Sequence, residues 1–364
     1  MKKLLIVLAL AICAGWTQAA VLKVASNGTQ LYTQISTAIS AAAANDTILV
    51  MSGGYNGFTV DRKLVIIGAG TGAGIGEGVL VNGAVEVMGT ADSTELRSLW
   101  IRASFANGST DSLTSVLRIR SGASRIFVWR CFIENYNTTA GYTAAISLGE
   151  QASADVVQCV LWSSGSGDSS NKPGILYRSN CNIIVTSSVL ANFERGIHSY
   201  PVTTGSSCTV SHCIFTTENS NLTPVSGAIA GVAENCVIFS EPGYVNTYTG
   251  SMSFSYCAHT NVAPPGATHI AATAAAFVNL NYSDARASDY HLASGSLLIN
   301  AANPASPFDL DGSRADIGIY GGQHPYVDGG VPDYPFAVQV EVPYTAPLNG
   351  TMRIWGRGRV GPGN

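Results

Sequence analysis

One short phrase, a polar residue followed by cysteine and two apolar residues, returns along the middle of this chain and constrains its fold more than any other feature. It runs Arg130-Cys131-Phe132-Ile133, Gln158-Cys159-Val160-Leu161, His212-Cys213-Ile214-Phe215 and Asn235-Cys236-Val237-Ile238, with Ser187-Ser188-Val189-Leu190 on the missing beat and Tyr256-Cys257-Ala258 as a weaker last one. From positions 131 to 159, 188, 213, 236 and 257 the steps are 28, 29, 25, 23 and 21 residues, the length that three short strands and three turns require. A second phrase keeps the same time as Ala145-Ile146, Gly174-Ile175, Gly196-Ile197 and Gly227-Ala228-Ile229. Two phrases in register per repeat imply a coil, not isolated hairpins. Leu64-Val65-Ile66-Ile67 and Leu99-Trp100-Ile101 look like earlier beats with longer turns.

The apolar runs are four to six residues long, rich in Val, Ile, Leu and Phe and bounded by Gly, Asn and Ser, as strands are. Only 12% of residues are charged while 39 are glycine, a turn-rich β profile. Stacked in parallel, such strands set like on like, and Cys131, Cys159, Cys213, Cys236 and Cys257 form an interior column of small apolar side chains. A solenoid also explains how 364 residues form one body, since each turn packs only on its neighbours. Cys181 and Cys208 lie off the column and 27 residues apart, close to one turn, which makes them the candidate disulfide pair.

Residues 1–19 have the form of an export leader, with Lys2 and Lys3, an apolar core over 4–14, and small residues around Ala19. The expectation is cleavage near Ala19 and a bacterial protein that is secreted or held at the cell surface, with no transmembrane segment. Without the leader, 17 basic residues face 23 acidic ones, a net charge of −6, which gives no electrostatic reason to hold nucleic acid. Residues 20–326 are assigned to the coil. Leu31, Ile35, Ala38, Ile39 and Ala42 keep helical spacing and predict a short capping helix over 31–44. Residues 327–364 form a linker and tail, in which Asn349-Gly350 signals a β-hairpin. That tail is the expected docking point for an envelope partner.

Residues 39–70, with Asn45-Asp46-Thr47-Ile48, Gly53-Gly54-Tyr55 and Lys63-Leu64-Val65-Ile66-Ile67-Gly68, resemble the entry segment of the secreted pectate-lyase-like β-helix superfamily. Asn300-Ala301-Ala302-Asn303-Pro304 and the run Asp309 through Asp316 to Tyr320 resemble the closing segment of its bacterial right-handed β-helix repeat proteins. The resemblance implies an all-β, single-stranded, right-handed parallel β-helix of roughly ten turns. It implies architecture more than activity, because such folds carry lyases, hydrolases and adhesins alike.

Enzymes of that superfamily act on acidic polysaccharides, and the residue patterns their chemistry needs are not evident in this sequence. No adjacent aspartate pair, Asn-Thr-Asp, Gly-His-Gly or Arg-Ile-Lys phrase occurs. The expected function is therefore a glycan-binding or structural surface β-helix, with a polysaccharide lyase or glycoside hydrolase acting on uronate polymers as the alternative. The candidate ligand site gathers Glu194, Arg195, His198 and Tyr200 from one stretch, Lys172 and Arg178 from the turn before, Glu218 from the turn after, and Trp162 as a stacking platform. Asp309, Asp311 and Asp316 are weak calcium candidates, set against a reading in which Arg314 closes an ion-paired turn between Asp311 and Asp316. No cofactor is otherwise expected.

Overall fold

The computed structural model describes residues 19–72, 78–105, 114–136, 143–165, 172–199, 204–218, 220–227, 229–332, 335–341 and 350–359. The expected leader, apart from Ala19, lies outside these residues, as do Tyr200 and Asn349.

Apolar side chains at alternate positions of short strands need cover on one face, and stacking coil on coil supplies it. Three parallel sheets form the walls of a right-handed β-helix. The first wall has ten strands, from Val21–Val24 to Ser251–Ser255; the second has ten, from Gly53–Asn56 to Ile270–Ala271; the third has seven, from Thr59–Val60 to Thr223–Ser226. Complete three-walled coils therefore number seven, not roughly ten, because the last turns lack a strand on the third wall. Each wall lines the interior with in-register rows. Ile48, Ile66, Leu96, Val128, Val156, Val185 and Val210 line the first, Ile101, Ile133, Leu161, Leu190, Phe215 and Ile238 the second, and Leu117, Ile146, Ile175, Ile197 and Val225 the third.

The repeated phrase is the corner between the first and second walls. Its polar residue adopts the left-handed conformation at Ser98, Arg130, Gln158, Ser187, His212, Asn235 and Tyr256, with φ between 47° and 57°. That conformation costs a residue with a Cβ about 1–2 kcal/mol. The corner N–H groups offset it by bonding to the next coil: Arg130 to Val157 O at 3.0 Å, Gln158 to Thr186 O at 3.0 Å, His212 to Glu234 O at 3.1 Å. The hydrogen-bond ladder thus runs through the bend. The cysteine that follows points inward and is buried. Cys159 Sγ donates to Val157 O at 3.2 Å and Val128 O at 3.3 Å, and Ser188 Oγ makes the equivalent bonds to Thr186 O and Val156 O at 2.8 and 3.4 Å. Serine can fill the missing beat because the position asks for a small donor.

Three details differ from the sequence reading. Val65–Gly68 belongs to the first wall, one wall before the cysteine beat, whereas Trp100 does pair with Phe132. Ile229 likewise lies in the first wall opposite Ser206, and Val225 takes the third-wall place opposite Ile197. The capping helix is shorter, Ile35–Ala41, and Leu31 is 85% exposed. Ile35, Ala38 and Ile39 still join the core of the first coils.

Past Ile270–Ala271 the chain turns back and runs along the outside of the second wall as a strap, residues 272–332. The outward rows there are apolar: Phe132, Val160, Val189, Ile214, Val237 and Ala258, beside Trp162, Ala191 and Phe239. Phe277, Tyr290, Leu298, Ala302, Ala315, Ile317 and Ile319 of the strap close over them, each large side chain contributing about 1.5–3 kcal/mol on burial. The segment expected to close the end of the coil covers its flank instead. Corner residues pin it: Asn303 N–H donates to Asn235 Oδ1 at 2.8 Å, Arg130 to Val331 O at 3.0 Å, Gln158 to Pro325 O, and Gly329 O accepts from Thr71 N–H at 2.8 Å. Gly321 passes so close over the corner that a Cβ there would lie 2.1 Å from Asp316 O and 3.0 Å from the His212 ring. In the tail, Phe336–Glu341 and Trp355–Arg359 pair antiparallel, as the hairpin expectation required.

Candidate functional site

On the third wall, strand pairing places Leu176, His198 and Ser226 in one outward row, and Pro173, Arg195 and Thr223 at the strand starts. Glu194 and Lys172 each precede a registered residue by one position, so the spacing argument brought Lys172, Glu194, Arg195 and His198 onto neighbouring coils. The imidazole is committed: Arg195 donates to His198 Nε2 at 3.2 Å, and His198 Nδ1 donates to Ser226 Oγ at 2.8 Å. Burial first, and the Arg195 charge second, push His198 down to about 4. A neutral ring with both nitrogens bonded is a fixture of the wall. Lys172 is buried, and Arg178 N–H bonds Leu148 O at 3.1 Å just past the strand. Glu218 sits on the preceding corner, where its N–H meets Asn192 Oδ1 at 3.3 Å and burial, then the Glu241 charge, raises its carboxyl.

Trp162 does not belong with them. It faces outward from the second wall, is 3% exposed, and lies beneath the Arg286 guanidinium at 4.7 Å from the ring centroid. A one-turn shift in sequence cannot reveal that a distant strap covers the residue.

The other sequence candidates resolve as local structure. Cys181 and Cys208 are buried free thiols: Cys208 pairs with Ile183, while Cys181 N–H meets Ser206, two positions off the register of a bridge. Burial pushes the Cys208 thiol up to about 12. Asp311 accepts from Ser313 N–H and Oγ–H at 2.8 and 2.7 Å, Asp316 from Asn300 N–H at 2.6 Å, and Asp309 from the N–H groups of Asp316 and Gly322. Arg314 donates to Ala302 O at 2.8 Å, not to the carboxylates, so the expected ion-paired turn is a backbone-bonded one. Among the described residues no three His, Cys, Asp or Glu side chains are grouped to hold a metal ion. Nor is any described helix long and apolar enough to cross a membrane.

The open chemistry lies where the strap meets the second wall and its corner. Two adjoining recesses, of about 410 and 610 Å³, share His291, Tyr320, Tyr326 and Asp328. The first adds Phe132, Arg286, Asp289 and Tyr290, the second Trp129, Arg130, Gln158, Leu310 and His324. His291 stacks on Tyr320, with centroids 4.0 Å apart and planes 15° from parallel, and Tyr326 meets Tyr320 edge-on at 5.9 Å. Asp289 Oδ1 holds His291 Nδ1 at 2.7 Å, Asp328 Oδ2 lies 3.8 Å from Nε2, and the Tyr320 hydroxyl donates to Asp328 Oδ1 at 2.7 Å. About half of the His291 side chain remains open, at 52% exposure. His291 holds the Asp289 carboxyl below the usual carboxylate range, so it is charged at neutral pH. At the corner, Trp129 is flanked by Arg97 and Arg130, and its indole N–H bonds Gln158 Oε1 at 2.6 Å. The sequence signal for this site was the density of Tyr, His and Asp over residues 282–328.

No family model matches the chain, and no curated protein matches it in sequence. Among solved structures the coil is similar to the pectate lyase Pel9A, at 14% identity and a TM-score of 0.48, over 85% of this chain and 98% of that one. It is also similar to the pectin methylesterase from Aspergillus niger, at 13% identity and a TM-score of 0.34, over 68% and 92%. The likeness is one of architecture.

Proposed function

We propose that this protein is a secreted or surface-held β-helix that binds saccharide in the groove between strap and second wall. The observation that carries the reading is the His291–Tyr320 stack with Asp289 and Asp328 at its edge. A flat π surface packs against the C–H face of a pyranose ring, and carboxylates at its rim accept hydrogen bonds from ring hydroxyls. A Tyr320→Ala, Asp328→Ala double variant tests it by titration calorimetry against an array-selected glycan. Binding should weaken by about a hundredfold, as expected for losing a ring contact and a charge-assisted bond; an unchanged affinity refutes the groove.

One observation favours a second reading, a polysaccharide lyase or hydrolase. Asp289 fixes the Nδ1 side of His291 and leaves Nε2 beside Asp328, the arrangement of an oriented base. Release of unsaturated or reducing ends from polysaccharide, abolished by His291→Ala, would establish it. Neither reading calls on calcium at Asp309, Asp311 and Asp316, whose carboxylates accept backbone N–H groups.

A further inference from the structure

We infer that the groove selects a neutral saccharide and rejects a uronate polymer, an inference that rests on the saccharide reading above. Recognition of uronates needs a guanidinium or ammonium free to meet each carboxylate. The two arginines that line the groove are engaged elsewhere. Arg286 lies over Trp162, 4.7 Å from the ring centroid, and pairs with Asp284 at 3.3 Å, with 42% of its side chain still exposed. Arg130 is 8% exposed, donates to Gln158 Oε1 at 2.8 Å and Val331 O at 3.0 Å, and rests on Trp129.

The most exposed charges beside His291 are negative. Asp289 and Asp328 keep 47% and 67% of their side-chain surface open on the two sides of His291. A uronate seated there meets like charge at close range, whereas a hydroxyl meets an acceptor. Half-exposed carboxylates a few ångströms from a bound carboxylate oppose it even with solvent screening. A second observation points to a hydroxyl-bearing ligand. Tyr290 lines the first recess, is 6% exposed, and has only Ser288 placed to bond its hydroxyl. Ser288 beside it spends its proton on the Asn281 and Asp284 carbonyls. Buried phenols are ordinarily paired, and a sugar hydroxyl or its bound water supplies the donor that Ser288 does not.

The test is calorimetry of the full chain at pH 7.5 with cellohexaose, xylohexaose, mannohexaose and hexagalacturonate. At least one neutral hexasaccharide should bind, and hexagalacturonate should bind at least about tenfold more weakly. In an Asp289→Asn, Asp328→Asn variant that gap should narrow, since the repulsion is removed while the shape is kept. Hexagalacturonate binding as tightly as the best neutral sugar, or a gap unchanged in the double variant, overturns the inference and leaves saccharide binding standing. No heat with any of the four overturns both.

Discussion

Two apolar interiors run side by side through this molecule, one inside the coil and one between its second wall and the strap. The inner one is built by repetition. Ile133, Leu161, Leu190 and Phe215 occupy one row, and each side chain meets near-copies of itself above and below. The outer one joins the wall residues Val160, Val189, Val237 and Phe239 to strap residues that recur nowhere else, among them Phe277, Tyr290, Leu298 and Ile317. Repetition templates a scaffold but offers every coil the same surface. The unrepeated half is where aromatic rings, carboxylates and an imidazole converge, and so where a ligand can be told apart from its relatives.

Removing the strap should have the largest effect on this comparison. A chain ending at residue 271 leaves two rows of Val, Ile, Trp and Phe bare, and is expected to aggregate or bind a hydrophobic dye strongly; a soluble, dye-silent product would mean that the outer interior contributes little. Next come paired truncations of one ring on each side. Phe215→Ala and Phe277→Ala should each cost about 3–5 kcal/mol. Amide exchange should then separate them, because Phe215→Ala accelerates exchange in the walls while Phe277→Ala accelerates it mainly in the strap. Equal acceleration in both regions would make the two interiors one cooperative unit.

Acid should loosen the seam through the histidine beneath it. Burial depresses His212 to about 4 from its ordinary 6.5, the Glu234 charge opposing. The folded state therefore binds that proton less readily than the unfolded one. Stability is intact above pH 6.5, falls as pH drops, and is lost to the extent of roughly 3 kcal/mol below pH 4. His198, also near 4, adds a loss of the same sign from the third wall. His212→Gln should remove part of the fall in Tm between pH 7 and 4.5, and glutamine already serves this corner at Gln158. The smallest change is expected at the interior column. Cys159→Ser should shift stability by about 1 kcal/mol or less, since Ser188 makes the same two bonds one coil later; a loss of several kcal/mol would show that the thiol packs in a way serine cannot copy.

How much of this was legible follows from the same contrast. The cysteine beat gave the coil, its parallel register and its inward column, because every coil restates the pattern. Where the spacing drifted, at Leu64 to Ile67 and at Gly227 to Ile229, it assigned the right kind of strand to the wrong wall. The strap could not be foreseen, since nothing local to Phe277 or Ile317 names Val237 as its partner. Trp162 was misread for that reason, its apparent solvent face being closed by residues more than a hundred positions downstream. Arg195 and His198 were rightly placed together, but only their hydrogen bonds reveal that the imidazole is committed.

A bare solenoid has no preferred length, because adding a coil repeats a contact already made. The strap changes this, for it is anchored at Asn235, at Gln158 and Arg130, and at Thr71 along the same corner. Inserting one coil between any two anchors would move them apart by about 4.8 Å and leave one fastening out of reach. The returning chain is thus a ruler laid against its own scaffold, and gain or loss of a turn should survive only beyond its reach.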